Sequence, residues 1–168
     1  VHVDDGRQWL QKNDDRYDLI LIDAFYADSI PAHLATSEFL ELAKKRLTPG
    51  GAVVTNIIGA VSGEQSRLFR SIYRTYRTQF ATVEVHPVKD APGPRDDSEI
   101  RNIILVATDS PTSSPDFLKE RWEEVRRANP DVPDLTEQIT ARRDDAVPID
   151  DVPTLTDDYA PTDALLLV

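Results

Sequence analysis

Leu19 to Ile22 is an unbroken aliphatic run, Leu-Ile-Leu-Ile, closed by Asp23. A strand with one wet face alternates apolar and polar residues, so a run without alternation predicts a strand over Tyr17 to Ala24 buried on both faces, as in a parallel sheet. Parallel neighbours need a helical crossover. The sequence supplies one: Thr36 can cap a helix with Glu38 in its first turn and Phe39, Leu40, Ala43 and Leu47 along one face, stopped by Thr48-Pro49-Gly50-Gly51. Ala52 to Ile58 then reads as a second aliphatic strand, and Leu68, Phe69, Ile72, Tyr73 and Tyr76 recur at helical spacing after it. Upstream, Val1 to Gly6 predicts a further strand and turn, with a short helix over Arg7 to Lys12. Strand and helix alternate three times, which predicts an α/β fold with a mainly parallel sheet.

Thr82 to Val88 and Arg101 to Thr108 are two more strand candidates. The segment between them, with Pro92, Gly93 and Pro94, has neither the length nor the periodicity of a helical crossover, so this pair should be antiparallel. Pro115 to Asn129 predicts a helix with Phe117, Leu118, Trp122 and Val125 facing inward, and Leu135 to Arg143 at most a short one. From Pro130 to Val168 prolines and aspartates dominate, and by charge alone the acid-rich stretch Leu155 to Asp163 reads as a solvated tail.

At 168 residues the chain suits a single domain. Val1 falls inside an expected strand and the sequence holds no Met, so the expectation is that these residues are a piece of a longer polypeptide. Thirty acidic against nineteen basic residues give a net charge of -11, which repels nucleic-acid phosphates and anionic lipid and argues against both as partners. The absence of cysteine excludes a disulfide framework, a thiolate metal site and a thiol nucleophile in these residues. No apolar stretch approaches the ~20 residues that span a bilayer, so a cytoplasmic location without membrane contact is expected of this segment.

In open α/β sheets ligands bind where strands run out at their carboxyl ends. Asp4 and Asp5 follow the first expected strand and Asp23 the second, so a shared cleft is expected, although an Asp at such a place also serves as a turn or helix cap. Tyr26, Asp28 and His33 follow Asp23 on a segment long enough to border that cleft. No spacing of His, Asp or Glu matches a zinc or calcium motif, so no metal is expected. Gly50-Gly51 and the Gly59 to Gly63 turn lack the patterns of phosphate loops, and Ser62 and Ser66 lack a nucleophile-elbow context.

Three segments, taken together, resemble the spermidine synthase-like family of polyamine aminopropyltransferases and their relatives. They are DDGRQWL (Asp4 to Leu10), YDLILIDAF (Tyr17 to Phe25) continuing through SIPAHLATSEFLELAKKRLTPGGAVVTNI (Ser29 to Ile57), and LTDDYAPTDAL (Leu155 to Leu165). The resemblance implies a Rossmann-like sheet of the S-adenosylmethionine-dependent methyltransferase type, here its C-terminal half, ending in an antiparallel strand pair. It implies that Asp5, with Gly6 beside it, binds the adenine end of decarboxylated S-adenosylmethionine. It further implies that Asp23 deprotonates or orients an attacking amine, and it makes Tyr26, Asp28, Asp158 and Tyr159 candidates for contact with that small-molecule acceptor. A homodimer is also in keeping with the family. The sequence departs from the family's Asp-x-x-Asp-Pro pattern, having Tyr26 three residues beyond Asp23 and an acid only at Asp28. The family's Gly-rich donor loop lies upstream of the position matched by Asp5. Two alternatives stay open: a methyltransferase using S-adenosylmethionine itself, and a non-catalytic domain that binds a nucleoside or a protein partner.

Overall fold

The computed structural model describes residues 1–24, 30–88 and 96–166. Its centre is an open four-stranded sheet of order β1-β2-β4-β3, with β1 spanning Tyr17–Ile22, β2 Leu47–Gly59, β3 Thr82–Pro87 and β4 Arg101–Thr108. β1 and β2 run parallel, and β4 pairs antiparallel with both β2 and β3. The fold is therefore a partial Rossmann-like sheet ending in the antiparallel pair that the short Val88–Arg101 connection predicts. Among the described residues no helix is long and apolar enough to cross a membrane.

Helices α2 (Ser37–Lys45) and α3 (Arg67–Gln79) lie on one face of the sheet, and the core fills the space between. The Thr36 hydroxyl accepts the Phe39 amide and so starts α2 as its sequence suggests; Phe39, Leu40 and Ala43 are buried beneath it. Leu68, Phe69, Ile72, Tyr73 and Tyr76 of α3 meet Val53, Thr55 and Ile57 of β2 and Ile103 and Leu105 of β4 in this layer. Tyr76 is fully buried, and its hydroxyl is matched by Thr55 Oγ1 at 2.5 Å; burial pushes the phenol well above its usual pKa and keeps it neutral.

The glycines between α2 and the aliphatic part of β2 do more than stop a helix. β2 begins at Leu47, and its pairing with β1 shifts register between Tyr17 and Leu19. Gly50 takes φ 81°, and a Cβ on Gly51 would lie 3.0–3.1 Å from the carbonyl oxygens of Thr48, Asp18 and Tyr17. Only glycine fits that approach without movement of backbone.

Three sequence expectations need correction. Val1 to Gly6 forms no strand: Val1 and Val3 are fully exposed, Asp5 caps α1 (Gly6–Lys12), and these residues pair with none of the described strands. β1 is not buried on both faces. It forms an edge of the described sheet, and Leu19 and Leu21 are 55% and 64% exposed because no described element covers that side. On α4 (Pro115–Ala128) Leu118 and Trp122 are half-buried, but Phe117 and Val125 are exposed; the helix packs chiefly on α5 (Thr136–Thr140).

The acid-rich C-terminal stretch is also not a solvated tail. Val152, Leu155, Thr162 and Leu165 are buried, the last two within α6 (Thr162–Leu166). Leu155 is hydrogen-bonded from both sides, its carbonyl accepting Ser37 N at 2.9 Å and its amide donating to Thr75 Oγ1 at 2.9 Å. Arg70 pairs with Asp151, and Arg74 donates to the carbonyls of Ile149 and Val152 at 2.6 and 2.9 Å. Polar composition conceals this packing because the anchoring donors lie on α3, far away in sequence.

Candidate active site

Asp23 stands immediately past the carboxyl end of β1, where the last aliphatic residue, Ile22, pairs with Thr55 of β2. One step further along both strands brings Asp23 beside Asn56. Asn56 Nδ2 donates to Asp23 Oδ1 at 3.0 Å, while Asn56 Oδ1 is buried and has no hydrogen-bond partner. Asp23 itself is exposed, with one edge of its carboxylate oriented by the amide. Asn56 is missing from the sequence-derived candidates. Its signal is a lone amide in an otherwise aliphatic strand, and it acquires meaning only once the β1–β2 register is known.

Asp23 lines a groove of about 430 Å³ along the edge of β1. The opposite wall comes from α1 and α2 through Gly6, Trp9, Leu10 and Phe39, with Leu34 from the turn before α2. Nothing lies within 4 Å of where a Cβ on Gly6 would sit, so a flat group can approach the backbone there. Trp9 is held by its indole N–H donating to the Tyr17 hydroxyl at 3.1 Å.

Asp5 precedes Gly6 at the end of this groove, although it does not itself line it. Its carboxylate accepts Gln8 N at 2.9 Å, which caps α1, and contacts His33 Nε2 at 2.7 Å. The Gln8 amide bond, followed by His33, holds the Asp5 carboxyl below the usual carboxylate range. His33 is thus the neighbour of a carboxylate and not a free base. Asp4 is exposed, accepts the Asp5 amide at 2.9 Å and pairs with Lys12 at 3.2 Å.

The segment carrying Asp5 is tied to the C-terminal stretch by Arg7. Its guanidinium forms a two-pronged pair with Asp157, at 2.7 and 2.5 Å, and donates to the His33 carbonyl at 3.1 Å. Asp157 also accepts the Thr36 hydroxyl at 2.7 Å, and its amide donates to Glu38 at 3.1 Å. Arg7 holds the Asp157 carboxyl below its usual range. The neighbouring candidates Asp158 and Tyr159 are exposed on the turn closed by the Thr156–Tyr159 bridge, and neither lines the groove. Tyr26 and Asp28 lie outside the described residues. Among the described residues, no three His, Asp or Glu side chains gather as a metal-binding group.

Comparison with known proteins agrees with this architecture. No protein-family model matches the chain. A probable polyamine aminopropyl transferase of Bifidobacterium longum is 37% identical over 62 residues, covering 37% of this chain and 14% of that protein. A polyamine aminopropyltransferase of Vibrio vulnificus is 36% identical over 83 residues, 48% of this chain and 26% of that one. A probable spermidine synthase from Corynebacterium glutamicum superposes with TM-score 0.58 at 24% identity, covering 90% of this chain and 56% of that chain. Over the aligned stretches this chain is similar to polyamine aminopropyltransferases. It aligns with no more than about a third of the curated relatives it matches. Human methyltransferase-like protein 13, solved in complex with SAH, shares the fold with TM-score 0.59 at 19% identity, over 79% of this chain and 60% of that one. The spermidine synthase and the methyltransferase share one sheet architecture with this chain, in which Asp23 follows the carboxyl end of β1.

Proposed function

We propose that this spermidine synthase-like chain supplies the amine-activating side of an aminopropyltransferase site, with the β1-edge groove as the reaction cleft. The observation that carries the reading is the Asp23–Asn56 pair. A carboxylate oriented by an amide at the mouth of a largely apolar groove is a receptor for an ammonium group. An alkylamine is mostly protonated at neutral pH and must release a proton before its nitrogen can attack. Asp23 would accept a hydrogen bond from that nitrogen and pass its proton to water, with its carboxylate held in orientation by the Asn56 amide.

The co-substrate would be a sulfonium nucleoside, decarboxylated S-adenosylmethionine. The amine nitrogen forms a bond to the carbon attached to sulfur, the carbon–sulfur bond breaks with its electron pair staying on sulfur, and a neutral thioether leaves. Asp5 would accept the adenine amino group, since a carboxylate oxygen can accept more than one hydrogen bond, with Gly6 leaving room for the ring. Asp28 and Tyr26 would border the acceptor, and Asp158 and Tyr159 would act only if a bound acceptor reaches beyond the groove.

The test is isothermal titration of the native full-length polypeptide with decarboxylated S-adenosylmethionine, S-adenosylmethionine and methylthioadenosine, together with an aminopropyl-transfer assay on a panel of primary amines. Transfer and preferential binding of the decarboxylated donor support the proposal. Methyl transfer from S-adenosylmethionine would replace it with the methyltransferase reading, and silence toward all three would leave a non-catalytic domain.

A further inference from the structure

A second cavity lies on the other face of the sheet, sharing no residue with the β1-edge groove. It occupies about 460 Å³ between the β3–β4 pair and the α4–α5 region, and a side chamber of about 90 Å³ adjoins it at His86, Ile104 and Gln138. The register explains its lining. Glu84 and His86 sit two apart on β3, so their side chains share a face, and they pair with Val106 and Ile104 of β4. The floor is thus half aliphatic and half ionisable. Leu118, Leu135 and Ile139 close it from the helical side.

Glu84 is the acidic group of this lining, and its side chain is only 13% exposed. Its Oε2 meets His86 Nε2 at 3.2 Å. Its Oε1 lies 3.6 Å from Arg142 Nη1, beyond hydrogen-bonding reach, because that guanidinium is committed to the Ser113 carbonyl and to Asp144, each at 2.8 Å. Among the described residues Oε1 thus accepts no hydrogen bond, although it stays ion-paired with Arg142, and it lies at the edge of an aliphatic bed. Thr108, Ser110 and Ser113 add neutral polar groups at the other end. A volume in the ordinary range for small-molecule sites, an apolar body and one oriented anion together define a ligand class.

We infer that this cleft binds a small apolar amine, its ammonium on Glu84 Oε1 and its hydrocarbon body over Ile104, Val106 and Leu118. The chain's net charge of -11 favours a cation over a carboxylate at any such site. The inference is independent of the transferase reading, because it involves neither Asp23 nor Asp5.

The experiment is methyl-detected NMR of the full chain, titrated with hexylamine and, separately, with hexanol and hexanoate. Hexylamine should shift the methyls of Ile104, Val106 and Leu118 while leaving those of Leu19 and Leu21 in place. Glu84→Gln should weaken hexylamine binding about tenfold or more, the loss of a hydrogen bond to a charged group. Leu118→Trp, which fills the cleft and leaves Glu84 and Arg142 untouched, should abolish it, so that a folding defect in the first variant cannot decide the outcome. Hexanol or hexanoate binding as tightly as hexylamine, shifts confined to Leu19 and Leu21, or unaltered affinity in the Glu84→Gln protein would each overturn the inference.

Discussion

Replacing Arg7 by Met keeps most of the apolar stem and removes the guanidinium that joins α1 to the C-terminal stretch. The side chain is 17% exposed and its partner Asp157 41% exposed. Hydrogen bonds to charged groups contribute about 1.5–3 kcal/mol each when shielded, but exposed pairs are worth far less; Asp157, more than a third exposed, brings the expected loss to about 1–2 kcal/mol at pH 7. For a chain of this size that corresponds to a fall of roughly 2–8 °C in melting temperature. The pH dependence follows from the depressed Asp157 pKa. A carboxyl whose folded pKa lies below its unfolded value stabilises the fold fully above the unfolded value of about 3.9, and this contribution disappears as pH falls through the folded pKa. Urea unfolding of the wild type and Arg7→Met should therefore differ by the full amount at pH 7 and converge as Asp157 protonates below about pH 4. Equal stabilities at pH 7 would show that the pair contributes nothing, and a deficit that persists undiminished in acid would show that Arg7 acts through packing or through the His33 carbonyl.

Other perturbations probe the remaining links. Gly51→Ala should destabilise by about 1–3 kcal/mol in chemical denaturation, because its Cβ meets three backbone carbonyl oxygens and the β1–β2 bulge must move; a neutral effect would contradict the close approach. Leu155→Ala should cost about 2–4 kcal/mol and expose the C-terminal stretch to limited proteolysis, whereas a solvated tail would tolerate it without loss. Asp5→Ala should weaken methylthioadenosine binding by roughly 1–3 kcal/mol in the native full-length polypeptide, and an unchanged dissociation constant in calorimetry would remove Asp5 from the nucleoside contact.

Much of the sheet was legible because its information is local. The aliphatic run ending at Asp23 marks β1, the Thr36 cap marks the start of α2, and the spacing of Leu68, Phe69, Ile72, Tyr73 and Tyr76 marks the buried face of α3. What failed depended on neighbours. A run of Leu and Ile states that a strand can be buried on both faces, but whether another element lies over Leu19 and Leu21 is a property of the assembled sheet. Val1 and Val3 are strand-forming residues that pair with no described strand. At the candidate site, the placement of Asp23 followed from a strand end. Asn56 did not, because its meaning lies in cross-strand register. The packing of Leu155 rests on Thr75 and Ser37, partners at least 80 residues away in sequence.

The central claim is that Asp23, oriented by Asn56, activates the amine. Initial rates of aminopropyl transfer should be measured for the wild type, Asp23→Asn and Asn56→Leu at saturating donor, with methylthioadenosine affinity measured in parallel. Asp23→Asn should abolish transfer and leave nucleoside affinity within about twofold, since the substitution keeps shape and removes the charge; Asn56→Leu should lower the rate by a factor on the order of 10²–10³, the cost of losing a positioned polar group. Turnover by Asp23→Asn near the wild-type rate would contradict the account.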